Sequence, residues 1–148
     1  MLSTTCKYAV RSIIFIGIRA AGGSKVNVRQ IATELDVPMQ FLSKILQIFV
    51  KKGVLKSLRG PNGGFAFQKD PFEVSLFDII TIVDGPEIFE SCIIGTRPCH
   101  CTDKAFHKCT VHDGYARLRK DLIDFFTNET IGSIAGNYVK QEKLFLSL

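Results

Sequence analysis

Residues 26–53 read VNVRQIATELDVPMQFLSKILQIFVKKG, and the turn signals in this stretch divide it into two helices. Asn27 can cap a first helix, VRQIATEL, and Gln30 at the third helical position gives an amide version of the capping box. The DVP segment, residues 36–38, has the composition of a turn, and its proline suits the first position of a second helix. Gly53 provides a C-terminal stop for that helix. The signals therefore predict two helices joined by a tight turn.

A β-hairpin is predicted immediately after the second helix. The segments VLKSL (residues 54–58) and FAFQ (residues 65–68) are compatible with short strands, and the glycine-rich RGPNGG (residues 59–64) between them suits a turn. Helix, turn, helix and hairpin then follow one another in the order of a winged helix-turn-helix. In a helix-turn-helix the second helix enters the major groove of DNA.

Helical patterns continue on both sides of this unit. An N-terminal helix, capped within residues 3–5, is predicted to run to about Ala21. Apolar residues at helical spacing form its inward face: Ala9, Ile13 and Ile16. A further helix is expected to start at Ser75 and to stop before Gly85.

A long helix is predicted from about His112 to Thr127. Its apolar side chains recur at steps of three and four residues, as in an amphipathic helix: Tyr115, Leu118, Leu122, Phe125 and Phe126. Because an amphipathic helix outside the core needs a partner, we expect it to form a dimer interface; packing on its own domain is the alternative. Residues 131–148 are expected to hold one short helix and a loose tail.

These elements predict a mainly α-helical fold with a small β-hairpin, namely a winged helix-turn-helix followed by a long dimerisation helix. The expected organisation is a DNA-binding domain at 1–84, a cysteine-rich sensor loop at 85–111, a dimerisation helix region at 112–136 and a C-terminal tail at 137–148. No glycine-rich nucleotide loop follows a strand, and no Ser/His/Asp set suggests itself, so we do not expect an enzyme.

Charge is unevenly distributed along the chain. Residues 1–69 hold 11 Lys or Arg and 2 Asp or Glu, a net charge of +9, whereas residues 70–148 hold 8 and 12, a net charge of −4. The basic half favours an anionic partner, most simply nucleic acid. The longest apolar run, residues 13–18, is far shorter than the roughly 20 residues of a membrane span. We therefore expect a cytoplasmic protein with no membrane contact.

The second helix and the hairpin supply the predicted DNA contacts. Gln40 can bond adenine in the major groove, and Ser43 can meet either a base or a phosphate. Lysines on the same helix are expected to meet phosphates, which set affinity and register. A guanidinium on the hairpin tip, Arg59, can enter a minor groove or grip a phosphate. The predicted interface comprises Thr4, Thr5, Lys7, Arg29, Pro38, Met39, Gln40, Ser43, Lys44, Lys51, Lys56, Arg59, Gly60, Asn62 and Gly63.

Three stretches together resemble a known protein family. They are TTCKYAVRSIIFI (residues 4–16), SLRGPNGGFAF (residues 57–67) and SLFDIITIVDGPEIFESC (residues 75–92). They are similar to the winged-helix transcriptional regulators typified by IscR, NsrR and CymR, and the resemblance runs from residue 1 to about residue 130. It implies a homodimer in which the long helix of each chain crosses its partner. It also implies binding to a pseudo-palindromic operator in double-stranded DNA, with repression as the expected outcome.

Four of the five cysteines fall within one 18-residue segment: Cys92, Cys99, Cys101 and Cys109. In a cytosolic chain such a cluster indicates metal or redox chemistry more often than disulfides. Thiolates together with imidazole suit an iron–sulfur cluster or zinc, although the spacing is not that of a usual zinc site. A thiol switch and the absence of any cofactor are the alternatives. Cys6 stands apart in the first helix, where a small core residue is expected.

The family resemblance narrows this choice. Several members carry three cysteines in this loop, the last followed by two residues and a histidine, and Cys92, Cys99, Cys109 and His112 match that order. The resemblance thus implies three thiolates and one imidazole around a two-iron rather than a four-iron cluster, with Cys101 as an alternative to Cys99. Other relatives bind no cluster. A cofactor-free, zinc or thiol-switch regulator therefore remains an alternative, as does a protein-interaction module.

Overall fold

The computed structural model describes residues 2–20, 23–95 and 110–141. In these ranges the chain forms seven α-helices and a two-stranded sheet, so the predicted mainly helical fold with a small hairpin is confirmed. The helices are α1 (Thr4–Ala20), α2 (Val28–Leu35), α3 (Met39–Lys51), α4 (Leu76–Asp84), α5 (Glu87–Glu90), α6 (His112–Asn128) and α7 (Ile131–Gln141). The strands are β1 (Leu55–Leu58) and β2 (Gly64–Phe67).

Helix α1 is the central element of the core. The six residues from Ser12 to Gly17 are all buried, because α7, α4 and β2 pack around this helix. A Cβ atom at Gly17 would lie 2.8 Å from Cγ2 of Ile131, so the glycine lets α7 approach α1 closely. The sequence predicted one inward stripe, whereas the fold buries every side of the helix in its middle turns.

The two helices of the predicted helix-turn-helix form where their end signals place them. The Asn27 side chain accepts a hydrogen bond from the backbone N–H of Arg29 at 2.8 Å and so caps α2. Helix α3 begins at Met39, one residue later than predicted. Pro38 has an extended ψ of 124° and only its carbonyl takes part, accepting from the N–H of Leu42 at 3.0 Å. Pro38 therefore precedes the helix and does not occupy its first position.

The strands β1 and β2 pair antiparallel, with Leu55 opposite Phe67. Strand β1 begins one residue later than predicted, and β2 is shifted by one residue towards the N-terminus. Val26, just before α2, adds a short third segment, because its N–H and its carbonyl each form a 2.8 Å hydrogen bond with Phe65. This bridge fixes the start of α2 against the hairpin.

Helix α4 begins with a capping box. The Ser75 hydroxyl accepts from the N–H of Asp78 at 3.1 Å, and the Asp78 carboxylate accepts from the N–H of Ser75 at 2.9 Å. Helix α5 follows within the stretch predicted as loop, which is a correction. Four residues are too few to show helical periodicity, and packing holds this turn instead. Its buried residue, Phe89, stacks on Phe77 of α4 with ring centroids 4.8 Å apart.

The two C-terminal helices pack on different parts of the molecule. Helix α6 packs mainly against α4, whereas α7 packs against α1 and against a 3-10 turn at Pro71–Glu73. Helix α7 continues through residue 137, where the predicted tail begins, to Gln141. No helix in the described ranges is both long and apolar enough to cross a membrane.

Candidate nucleic-acid interface

Helix α3 has one fully buried face and one fully exposed face. Its buried side chains anchor it in the core: Leu42, Ile45, Leu46 and Phe49. On the opposite side four exposed polar residues lie within an arc of about 60°, given about 100° per residue: Gln40, Lys44, Gln47 and Lys51. Gln47 was not among the predicted contacts, although its spacing from Gln40 and Lys44 was the signal that could have found it. The helix therefore presents two amides and two ammonium groups outward from a rigid support.

Ser43 and Met39 lie on the flank of this exposed face. Ser43 is half-buried, and its hydroxyl donates a hydrogen bond to the backbone carbonyl of Met39 at 2.9 Å. The Met39 side chain is 42% exposed at the first turn of the helix. Both side chains therefore remain accessible beside Gln40.

An open groove separates the start of α2 from the start of α3. It brings predicted contacts Arg29 and Met39 together, along with other polar side chains: Asn27, Gln30, Thr33 and Glu34. Glu34 was not predicted as part of the interface. Its carboxylate is a hydrogen-bond acceptor among basic and neutral groups. Its position on the exposed side of α2 was the signal that could have identified it from the sequence.

The hairpin ends in an exposed turn that shapes the predicted wing. The N–H of Gly63 donates to the carbonyl of Gly60 at 2.9 Å, and Arg59 and Asn62 are exposed around this turn. Gly60 has a φ of 109°, which L side chains rarely adopt, and a Cβ at Gly63 would lie 2.3 Å from the carbonyl oxygen of Leu58. The glycines predicted at the tip are thus required by the turn itself. They leave the Arg59 guanidinium on a narrow projection.

A second basic surface borders the hairpin. Lys56, a predicted phosphate contact, lines a groove with Lys25 and Lys69, beside the exposed side chain of Leu58. The sequence did not single out Lys25 or Lys69, because each is isolated along the chain. The fold brings the three ammonium groups around one concavity.

Ser3 caps the first turn of α1, so it is the one of the three candidate cap residues (3–5) that is used. The Ser3 hydroxyl accepts from the N–H of Cys6 at 3.0 Å, while its own N–H donates to the Asp84 carboxylate at 2.9 Å. Thr4 and Lys7 are exposed on this turn.

Cys6 is buried, and its burial, together with the nearby Asp84 carboxylate, raises the pKa of its thiol to about 12. The thiol is therefore protonated at neutral pH. Its burial confirms the prediction that Cys6 is a small core residue.

Two of the predicted cluster ligands are described. Cys92 follows α5 and is half-buried; a Cβ at Gly95 would lie 3.3 Å from its Sγ, so the chain turns back over it. His112, the first residue of α6, is also half-buried. The other predicted ligands lie outside the described residues: Cys99, Cys101 and Cys109. Within the described ranges, no group of three or more His, Cys, Asp or Glu side chains is placed to hold a metal ion.

Helix α6 carries apolar side chains on two faces. One set begins at Val111, the residue just before the helix, is spaced by four, three, four and three residues and faces away from the domain: Val111, Tyr115, Leu118, Leu122 and Phe125. Leu118 is 61% exposed and Phe125 is 54% exposed. Phe126, which the sequence placed in the same stripe, instead packs inward against Phe89 with ring centroids 6.0 Å apart. We name the first set the outer stripe of α6.

Comparison with known proteins identifies the family. The family model Rrf2, described as an iron-dependent transcriptional regulator, matches residues 2–137. An HTH-type transcriptional regulator of Aquifex aeolicus is 29% identical over 145 residues, which cover 98% of this chain and 96% of the relative. The transcriptional regulator IscR of Escherichia coli is 26% identical over 136 residues, which cover 92% of this chain and 80% of the relative.

A solved structure supports the same fold. CymR, the global cysteine regulator of B. subtilis, superposes with a TM-score of 0.78 at 18% identity, over 93% of this chain and 97% of that one. The relatives and fold neighbours are transcriptional regulators, which are not enzymes. Because the family model spans nearly the whole sequence, this chain belongs to the Rrf2 family of transcriptional regulators.

Proposed function

We propose that this Rrf2-family regulator is a homodimer that binds a pseudo-palindromic operator sequence-specifically and represses transcription there. The observation that carries the proposal is the exposed face of α3. Gln40 and Lys44 project from a helix whose other face is held immobile by buried Leu and Phe side chains. A rigid helix with donors and acceptors on its first turns is what base recognition in a major groove requires.

The contacts would divide between base edges and phosphates. Gln40 has both a donor and an acceptor and so can bond adenine bidentately, while Met39 can contact a thymine methyl group. Lys44 and Lys51 supply charge to phosphates, with Thr4, Lys7 and Arg29 as further phosphate contacts. Arg59 on its narrow turn suits a minor groove, where Gly60 and Gly63 leave room for the backbone to approach.

The outer stripe of α6 supports the homodimer. Its alternation of four- and three-residue steps is the heptad spacing with which two helices pack together. Leu118, Leu122 and Phe125 together expose an apolar surface that water does not favour. A second copy of the same helix would cover this surface and place two α3 helices on one duplex, which a pseudo-palindromic operator matches.

Binding to the protein's own promoter region, measured by fluorescence anisotropy at several salt concentrations, tests the DNA-binding proposal. Lys44→Ala should weaken binding to all sequences and lower the salt slope by about 1. Arg59→Ala should weaken binding about tenfold or more, because a charged contact to the duplex is lost. Lys120→Ala is the matched control, since Lys120 is an exposed lysine on the polar side of α6. If neither Lys44 nor Arg59 affects binding more than Lys120, the proposed interface is wrong.

We further propose an iron–sulfur cluster held by Cys92, Cys99, Cys109 and His112, with Cys101 as the alternative to Cys99. The set of donor atoms supports this proposal. Three thiolates and one imidazole suit a two-iron cluster, whereas magnesium and calcium prefer oxygen ligands. Such a cluster would make the regulator sensitive to oxidants and to the availability of iron. Cys92 ends the segment held by α5, and His112 begins α6, so a change at either ligand would act directly on these two helices.

Anaerobic purification followed by a visible absorbance spectrum and by iron and sulfide assays tests the cluster. We expect a coloured protein whose colour is lost in Cys92→Ala and is kept in Cys6→Ala, which removes a thiol outside the loop. Comparing Cys99→Ala with Cys101→Ala identifies the middle ligand. A colourless protein that contains stoichiometric zinc would instead support the zinc regulator, and one without metal after reconstitution would support a thiol switch or a cofactor-free regulator.

A further inference from the structure

The hydroxyl of Ser43 is already committed as a donor. It lies 2.9 Å from the backbone carbonyl oxygen of Met39, one helical turn earlier. A carbonyl oxygen carries no hydrogen, so the Ser43 hydroxyl must be the donor in this bond. A serine hydroxyl has one hydrogen and two acceptor lone pairs, so what it still offers outward is acceptor capacity alone.

This state of the hydroxyl limits what Ser43 can bind on DNA. Phosphate oxygens, the N7 and O6 atoms of guanine, the O4 atom of thymine and the N7 atom of adenine are all acceptors. In the major groove only the N6 amine of adenine and the N4 amine of cytosine are donors. An acceptor-only hydroxyl is therefore complementary to an exocyclic amine and not to a phosphate.

The neighbours of Ser43 make its acceptor useful. Lys44, the next residue, offers only donors, and Gln40, three residues earlier on the same exposed side, offers one amide with both capacities. The fold keeps the backbone around Ser43 rigid, because Leu42 and Ile45 on either side are buried. Ser43 thus supplies a fixed acceptor beside a cationic face.

We propose that Ser43 is a specificity-determining residue that selects adenine or cytosine at one position of each operator half-site. The proposal rests on the proposed function, since it requires α3 to enter the major groove. A hydroxyl that turned to donate to a phosphate would have to give up its bond to Met39. Ser43 therefore contributes to the choice of sequence and not to general affinity for DNA.

Selection of binding sites from a library of random duplexes, with the full-length protein, tests this assignment. The wild-type protein should prefer adenine or cytosine at one position per half-site. Ser43→Ala should reduce that preference about fivefold to tenfold, which is the effect of one neutral hydrogen bond. Its affinity for other sequences and its salt slope should not change. Ser43→Thr should keep the preference, because Thr33 forms the same type of bond to the Arg29 carbonyl in this protein.

A change of single atoms in the selected duplex provides the sharper test. Replacing the preferred adenine by purine, or the preferred cytosine by 2-pyrimidinone, removes only the exocyclic amine. The wild-type protein should bind the altered duplex more weakly than the original one, whereas Ser43→Ala should bind the two duplexes equally well. Ser91→Ala is the matched control, since its hydroxyl donates to the Glu87 carbonyl at 2.7 Å in the same way but away from α3.

Three results would overturn the assignment of Ser43. A uniform loss of affinity with a smaller salt slope in Ser43→Ala would mean a phosphate contact. A lost preference for guanine or thymine would mean that the hydroxyl donates to a base. An unchanged preference would mean that Ser43 does not read DNA. Failure of the proposed function looks different, because the wild-type protein would then select no sequence at all.

Discussion

Helices α1 and α6 both contain 17 residues, but they occupy opposite environments. Helix α1 has six consecutive buried residues, whereas no residue of α6 is fully buried. The difference arises from what covers each helix, because α1 is enclosed by other elements of its own chain and α6 rests mainly on α4. Apolar side chains on α1 are therefore satisfied within the protomer. Those on the outer stripe of α6 are left for another surface.

Few side chains on the inner side of α6 contact the rest of its own domain. Arg119 lies at its edge: its guanidinium donates a hydrogen bond of 3.1 Å to the carbonyl of Glu90 and also lies 5.5 Å from the ring centre of Tyr115 in the outer stripe. Phe126 and Ile123 complete the contact with α4 and α5. The rest of the apolar surface of α6 has no counterpart in the described part of the protomer. Variants of the two helices should therefore fail in different ways.

The largest effect is expected for α1. Phe15 is 1% exposed, so Phe15→Ala should remove about 3–5 kcal/mol of unfolding free energy through lost burial and the cavity it leaves. Urea denaturation followed by circular dichroism measures this loss, which should be similar at every protein concentration. Leu122→Ala on the outer stripe is the comparison. Its destabilisation should grow with protein concentration, because it weakens association and not the protomer. Equal, concentration-independent losses in both variants would contradict the distinction between the helices.

The next effect concerns association. Leu118→Glu and Leu122→Glu would each place two carboxylates, one per chain, in the proposed interface, and we expect the dissociation constant of the dimer to rise about 100-fold or more. Sedimentation velocity measures the oligomeric state, and circular dichroism should show unchanged helix content. Thr127→Glu adds the same charge to an exposed position outside the stripe and should leave the dimer intact. If both stripe variants remain dimers, α6 is not the interface.

Two adjacent phenylalanines sharpen the comparison within α6 itself. Phe126 packs in the cluster with Phe89, so Phe126→Ala should cost about 2–3 kcal/mol of protomer stability. Phe125 is 54% exposed, so Phe125→Ala should leave the protomer nearly as stable and weaken only association. Urea denaturation at low and high protein concentration separates the two effects. Reversed roles would mean that α6 is rotated relative to the arrangement described.

The features that the sequence predicts well are those with local causes. The bounds of α2 follow from the Asn27 cap and the left-handed Asp36, and the hairpin follows from the turn at Gly60 to Gly63. In each case the signal and the structure lie within a few residues of one another. The exposed face of α3 could be predicted as well, since the helical period is visible in the sequence and the residues of the opposite face are apolar.

The features that the sequence misses depend on distant contacts. The burial of α1 on all sides requires α7, more than one hundred residues later, to cross it at Gly17. Helix α5 is held by Phe89 against Phe77 and not by an end signal. Phe125 and Phe126 are adjacent and equally apolar, so only the position of α4 decides which of them points inward. Tertiary contacts, which no local pattern encodes, made these differences.

The smallest effect, a dependence on pH, tests how tightly the first turn of α1 is enclosed. Burial beside Asp84 raises the pKa of Cys6 from 9.0 to about 12, so between these values the unfolded chain releases the thiol proton while the native chain retains it. Stability due to this group is complete below pH 9 and decreases as the pH rises towards 12. Cys6→Ala should therefore show a shallower loss of unfolding free energy from pH 9 to pH 10.5 than the wild-type protein. Because the two proteins differ at no other titratable residue, the difference between the two slopes isolates Cys6. Parallel slopes would mean that water reaches the thiol and that the first turn of α1 is not enclosed.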